Sequence, residues 1–477
     1  MSDKPAGPVP PIRPATPFPD AAPATADAAD TLLAAYTRAV LEFRLGNADA
    51  APPAGPGPQA SAADGSGQHP GDATAISQAV EKALRLAVRS GRPHLVLLGV
   101  GDGRLPDALT DALAAMKTGP DTPRLTVCDL APDRMRAALA AGHLDGFTLA
   151  QPSATAPRLL VDTSPWALLL LLRATGIAPE TATLFPHPFL PEAEADALRR
   201  WRRLFAACVP VELPAAPAVF DDADDAARPA PRHDLGVGAI LHPGEPDLAA
   251  FFAQIPGWVR EVAVVWDGAP PDFDPAPLCP VPLRQAVRAL GGDFSAQRNT
   301  MLGLLSAEWA LYLDADERLS AAAWTLLPRL MAVPGTGAWL FPRATAYPDA
   351  AHLRAGYGLW PDMQLRLFRR TPGVRFDGKV HERVVGIDGH ACLVADAWID
   401  HLSWTAKDRD ALAERLRVFD AAGAPGGVAG GPSSPDRLHR LSAEYPTLPR
   451  RLFAAVGLMP SEDAQAHSRH TALRLPL

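Results

Sequence analysis

Chemistry in this chain concentrates at Asp314-Ala315-Asp316-Glu317. Two carboxylates one residue apart follow the apolar run Trp309-Ala310-Leu311-Tyr312-Leu313. They therefore stand at a strand-to-loop corner and can turn into one site. Such a pair can hold Mg²⁺ or Mn²⁺ against the oxygens of a diphosphate, which neutralises a departing nucleoside diphosphate, the leaving group of a nucleotide sugar. A strand-end carboxylate facing solvent packs against little. Asp316→Ala is therefore expected to change stability by under ~1 kcal/mol while abolishing any metal-dependent activity. A second candidate site is the glycine-rich turn Gly99-Val100-Gly101-Asp102-Gly103, with Asp129 at the end of the following apolar run.

Both sites need strands to position them. Around the second, His94–Val100, Leu125–Cys128, Arg158–Val161 and Ala182–Phe185 read as strands, with helices over Pro106–Met116, around Leu168 and over Glu192–Ala207. Strand, glycine turn, helix, strand and acid is the order of a Rossmann-like unit. Around the first site, Leu235–Leu241, Glu261–Trp266, Val281–Val287 and Trp309–Leu313 read as strands, with helices over Asp247–Ile255 and Ser295–Leu305. Alternation of this kind predicts α/β folding on a mostly parallel sheet. Asp267 and Asp314 both fall at strand ends, where ligands of such sheets bind.

The surrounding segments carry a resemblance. Gly292-Asp293-Phe294-Ser295-Ala296-Gln297-Arg298-Asn299, then Trp309 to Glu317, then Gln364-Leu365-Arg366-Leu367-Phe368-Arg369-Arg370, then Phe376-Asp377-Gly378-Lys379-Val380-His381-Glu382 follow in the order of glycosyltransferase family 2. The resemblance covers about residues 234–405 and implies a GT-A fold and inverting transfer from a nucleotide-diphosphate sugar, with Mn²⁺ or Mg²⁺ as cofactor. It makes Asp316 the direct metal ligand and places Asp314 on the ribose or on the metal through water. Asp267, with Gly268 beside it, resembles the base-recognition aspartate, and Arg298 the arginine near the nucleotide or diphosphate. His381 is a candidate third contact to metal or diphosphate. Glu382 or Asp362 is the candidate base that deprotonates the acceptor hydroxyl. Plain structural roles stay open: Arg298 pairing on its helix, Asp293 capping it, His381 as a satisfied histidine, Glu382 in an ion pair with Arg383 or Arg366. The chain departs from the family at Leu241-His242-Pro243-Gly244-Glu245 and at Trp266-Asp267-Gly268-Ala269-Pro270-Pro271, loops that normally embrace the nucleotide.

The glycine turn resembles the first motif of class I methyltransferases, which implies S-adenosylmethionine over Gly99, Gly101 and Gly103 with Asp129 on its ribose. The position two before the first glycine, acidic in that family, is Leu97. A unit without cofactor, packed against the transferase, is expected instead.

Composition bounds the rest. With 477 residues, the chain exceeds one ordinary core, and its 52 prolines require linkers. We expect a Pro/Ala-rich segment over 1–75, largely disordered with a short helix at Thr31–Leu45 and dispensable for chemistry. A Rossmann-like domain over 76–212 follows, then a linker over 213–233, the GT-A domain over 234–405, and a helical or irregular tail over 406–477. The net charge of −8 argues against a nucleic-acid partner. The longest strongly apolar run, Trp166–Leu172, is well short of the ~20 residues of a membrane span. Four scattered cysteines and no basic-then-apolar leader suggest a soluble cytoplasmic protein. Expected partners are a nucleotide sugar and a glycan, lipid-linked or protein acceptor, with a role in cell-surface glycan or glycoconjugate synthesis. The alternatives are a non-catalytic sugar- or nucleotide-binding module and a bifunctional protein that also binds S-adenosylmethionine.

Overall fold

A computed structural model describes residues 26–43, 73–116, 122–147, 149, 156–215, 233–379, 382–406, 445–459 and 472–476. The chain is mixed α/β with two principal sheets. The first holds β1 (His94–Leu98), β2 (Arg124–Asp129), β3 (Arg158–Val161) and β4 (Ala182–Pro186), all parallel, in the order β3-β2-β1-β4. Their short apolar runs are buried on both faces, as covered parallel strands require. The covering helices are α2 (Ala73–Ser90), α3 (Arg104–Ala115), α4 (Pro132–Ala140), α5 (Pro165–Ala174) and α6 (Glu192–Ala207). In α2 the buried positions Ala75, Ala79, Ala83 and Ala87 recur every four residues, which lets the helix lie close to its neighbours. The helix α4 is absent from the sequence expectation; its buried face is only Pro132, Met135 and Ala138.

The second sheet is mixed rather than mostly parallel. A parallel half contains β6 (His233–Leu241), β7 (Val259–Asp267), β8 (Leu283–Arg288) and β9 (Trp309–Tyr312), in the order β9-β6-β7-β8. Here Pro282 precedes an edge strand, β8. Beyond β9 come β13 (Asp362–Arg369), antiparallel to both β9 and β11 (Thr336–Thr345), and then β16 (His390–Val394). The short β10 (Glu317–Leu319) pairs with β17 (Ile399–His401), which also pairs with β11. Part of the expected tail completes this sheet: β19 (Ala472–Arg474) lies between β16 and the two-residue β5 (Val209–Pro210). Over 407–444, 460–471 and 477 the tail expected over 406–477 lies outside the described residues.

One apolar core joins the first sheet to the far part of the second, including Leu95, Leu168, Leu353, Trp360, Leu393 and Phe453. At its centre runs α1 (Ala26–Glu42), longer than the expected Thr31–Leu45 helix. Leu32, Tyr36 and Val40 of α1 are fully buried. Burial of such side chains stabilises by about 1.5–3 kcal/mol each, a large share of a net stability of roughly 5–15 kcal/mol. The fold is therefore expected to need α1, a separate matter from whether residues 1–75 are dispensable for chemistry. Deleting residues 1–43 is expected to lower the melting temperature by more than ~10 °C or abolish a cooperative transition; an unchanged melt would contradict this.

Tyr36 donates to the buried Asp162, just after β3. Burial pushes the Asp162 carboxyl up to about 6, against the opposing hydrogen bonds from Tyr36 and backbone N–H groups. In the unfolded chain an aspartate titrates near about 3.9. The folded state thus keeps a proton that the unfolded chain has released. This contribution to stability is complete below about pH 4 and is lost as pH rises to about 6. Asp162→Asn is expected to flatten that slope, measured as the urea midpoint against pH; an unaltered slope would assign it to other groups.

Candidate active site

The parallel strands β6, β7 and β9 bring their carboxyl ends to one edge. Asp267 ends β7, and Asp314 follows β9 after Leu313, whose N–H bonds the carbonyl of Gly238 at 3.0 Å. The corner at Asp314 is closed on itself. Glu317 N–H donates to the Asp314 carbonyl, and Asp314 N–H donates to Glu317 Oε2 at 3.1 Å. Glu317, fully buried, is thus a structural member of the motif.

Arginines crowd this corner. Asp314 is held by Arg298 Nη2 from α8 (Phe294–Leu304) at 3.0 Å and by Arg366 Nη2 from β13 at 3.0 Å. Both guanidinium groups lie over the Tyr312 ring, at 4.7 and 4.4 Å from its centre. Arg366 also reaches Glu317 at 2.5 Å, and Arg343 of β11 joins Glu317 at 3.3 Å and pairs with Asp362. Arg298 contacts Glu382 through Nε at 2.5 Å. Its Nη1 is buried and without a hydrogen-bond partner among the described residues.

Both expected bases are thus in ion pairs. Glu382 pairs with Arg298, not with Arg383 or Arg366. Burial would raise the pKa of Asp362, but the Arg343 charge and hydrogen bonds from Arg343 and Gln364 hold it below the usual carboxylate range. Asp293 caps α8, accepting the Ala296 N–H at 2.9 Å. Asp267 accepts the Leu290 N–H at 2.7 Å, and a side chain at Gly268 would meet open space. His381 lies outside the described residues.

The second carboxylate of the pair has partners that sequence reading missed. Asp316 is buried and accepts from Ser403 Oγ at 2.6 Å. His401 Nε2 lies 2.6 Å from Ser403 Oγ and 3.8 Å from Asp316 Oδ1, and its Nδ1 faces Thr345 Oγ1 at 3.1 Å. The strand β17 delivers His401 by pairing it directly with Glu317 of β10. No spacing rule could have found this contact, because 87 residues separate Ser403 from Asp316.

Does this donor set fit a divalent cation? Among the described residues no three His, Cys, Asp or Glu groups converge as a closed metal site. Asp316 offers one carboxylate, a partial shell of the kind that Mg²⁺ completes with water and phosphate oxygens, while His401 donates from Nε2 to Ser403 Oγ and would join only once that bond is broken. Around them, Arg298, Arg343 and Arg366 face Asp314, Asp316, Glu317, Asp362 and Glu382. When all are ionised, this set carries an excess of two negative charges, which a divalent cation matches.

No protein-family model matches the chain. Over 92 residues, 19% of its length, it is 36% identical to a TPR repeat-containing protein of Synechococcus elongatus, and it spans 21% of that protein's length. Among solved structures it is similar to mannosyltransferase PcManGT from Pyrobaculum calidifontis in complex with GDP-Man and Mn²⁺ (16% identity, 46% of this chain and 71% of that chain, TM-score 0.27). It is also similar to S. aureus TarS 1–349 in complex with UDP-GlcNAc (15% identity, 24% of this chain and 36% of that chain, TM-score 0.21). A third is GalNAc-T7 with UDP, GalNAc and Mn²⁺ (11% identity, 44% of this chain and 54% of that chain, TM-score 0.24). TM-scores of this size fall short of a shared overall fold, and the reading of the site rests on its own residues. Among the described residues no helix is long and apolar enough to cross a membrane.

The glycine turn at the first sheet is filled by the protein itself. A β-carbon at Gly99 would lie 2.5 Å from Leu190 Cδ1, at Gly101 2.3 Å from His187 Nε2, and at Gly103 2.5 Å from His143 Cβ. The room that glycine leaves is thus taken by side chains of the same chain. Asp129 is buried and spends its oxygens on backbone, accepting Val100 N–H at 2.7 Å and Ala131 N–H at 2.9 Å. These contacts argue against a ribose-binding role for Asp129. Titration of the full chain with S-adenosylmethionine is expected to release no binding heat up to ~100 μM ligand, about the level where ~5 kcal/mol of binding would show. Low-micromolar binding that is lost in Asp129→Ala would overturn this.

Proposed function

We propose that residues 234–405 form a GT-A-type glycosyltransferase that moves a sugar from a nucleotide-diphosphate donor to an acceptor hydroxyl, with inversion. The observation that carries this reading is the Asp314/Asp316 corner at the carboxyl edge of β9. It shares that edge with Asp267, and two buried arginines grip Asp314. Asp316, with His401 once released from Ser403, would hold Mg²⁺ or Mn²⁺, which when bound screens the charge of the donor diphosphate. Arg298, with one spare buried donor, would take a phosphate oxygen through a charge-assisted hydrogen bond. Asp267 and Gly268 would border the nucleotide. A general base works best with a pKa near the operating pH, and Arg343 pulls Asp362 away from it. Glu382 is likewise paired, with Arg298, so either carboxylate, once released from its arginine, would take the acceptor proton. The acceptor is a hydroxyl of a glycan, a lipid-linked sugar or a protein.

The test is donor hydrolysis and transfer by the full chain with a panel of nucleotide sugars and Mn²⁺. Turnover with one donor, lost on chelation, is the expected result. Nucleotide binding without turnover for any donor would favour a non-catalytic binding module.

A further inference from the structure

The segment 355–361, between β12 (His352–Arg354) and β13, leads straight into Asp362 and is gripped by the N-terminal unit. Its backbone is costly. Gly356, Tyr357 and Gly358 have φ of 77°, 55° and 82°, and for a bulky residue such as Tyr357 the left-handed region is a true outlier. Such conformations persist only where the surroundings over-determine them, and they gather at sites where position matters.

The surroundings are specific. Tyr36 of α1 donates to Asp162 and stands 2.9 Å from the Trp360 carbonyl, and it accepts the Gly356 N–H at 3.2 Å. The Gly358 backbone N–H also favours the ionised form of Asp162. Tyr357 Oη lies 2.9 Å from the carbonyls of Val40 and Phe43 and takes a hydrogen bond from Arg136 of α4 at 2.7 Å. Asp162 sits at the carboxyl end of β3, the edge where a sheet of this order would present a ligand. Here that edge holds a loop of the other sheet.

We propose that the N-terminal unit is the positioning device of the acceptor side: Tyr36, Asp162 and Arg136 fix the loop 355–361 and, through it, the start of β13 with Asp362. This rests on the transferase reading of residues 234–405. Tyr36 is then a positioning residue, and the three-residue left-handed run is the element it stabilises. The nucleotide edge, at β7 and β9, is not touched by this clamp.

The full chain with Tyr36→Phe tests the proposal, with amide hydrogen exchange and steady-state transfer as readouts. We expect exchange at Gly356 and Gly358 to quicken at least tenfold, kcat to fall at least tenfold, and the dissociation constant for nucleotide diphosphate with Mn²⁺ to stay within twofold. Asp162→Ala should act alike, and Asp162→Asn, which keeps one acceptor oxygen, should recover part of the loss. Unchanged exchange in the loop, or a loss of nucleotide affinity equal to the loss of kcat, would overturn the clamp. If Tyr36→Phe unfolds the chain, Tyr357→Phe, which removes one hydroxyl only, gives the same discrimination. If the wild type transfers no sugar, the transferase reading fails separately. Exchange then decides: quickening that spreads to Asp362–Gln364 supports the clamp, and quickening confined to Gly356 overturns it.

Discussion

Replacing Asp316 with Asn is expected to reduce sugar transfer by ~10²-fold or more, since the charge that holds a divalent cation is worth several kcal/mol in the transition state. The fold should hold. Asn matches the volume of Asp316 and can still accept from Ser403, so the stability change should stay near ~1 kcal/mol. Asp316 is not the solvent-facing group that its strand-end position suggests: it is 5% exposed. Asp316→Ala would therefore strand Ser403 and His401 as well and would cost more than the under ~1 kcal/mol that solvent exposure implied. Transfer assays with and without Mn²⁺, beside thermal melts, separate the two effects. Wild-type metal dependence in Asp316→Asn would remove Asp316 from the cation site.

What the sequence revealed follows from the range of the interactions. The Asp314/Asp316 corner was legible because an apolar strand and an acidic turn are adjacent in the chain. The same holds for β1 to β4 and for the Asp293 cap of α8, set by neighbours within a few residues. The partners of the site were not legible. Arg366 meets Glu317 across 49 residues, Ser403 meets Asp316 across 87, and Tyr36 meets Trp360 across 324. No periodicity encodes such contacts, since they exist only after the sheet has set its strand order. The glycine turn allowed two readings for a related reason. Its local pattern suits a cofactor, but His187, Leu190 and His143 arrive from elsewhere and fill it. The α1 segment looked marginal because its flanks are rich in Pro and Ala, while its apolar face is matched by a surface more than 100 residues away.

The second large effect concerns Arg366. Arg366→Met keeps much of the side-chain volume but removes the charge between Glu317 and Asp314. Glu317 is fully buried, and burial already pushes its carboxyl up, with the Arg366 charge as the chief opposing influence. Taking one partner from a buried ion pair leaves an uncompensated charge, which costs about 3–5 kcal/mol. Arg343, at 3.3 Å from Glu317, softens this loss but is itself shared with Asp362. The variant should accordingly lose most stability at neutral pH. It should regain part on acidification, because a raised carboxyl binds its proton in the folded state before the unfolded chain does. Adding Glu317→Gln should restore most of the stability, since a neutral amide needs no counter-charge, and the double-mutant cycle then reports the pair directly. Activity should not return with it. Asp314 would still lack one of its two guanidinium contacts, and Glu317 closes the turn that aims Asp314 and Asp316. Chemical denaturation at pH 5 and pH 7.5 for the wild type, both single variants and the double variant tests the scheme. A cycle with no coupling energy, or a loss independent of pH, would mean that Arg366 serves as packing around Tyr312 and not as the charge that holds the acidic corner together.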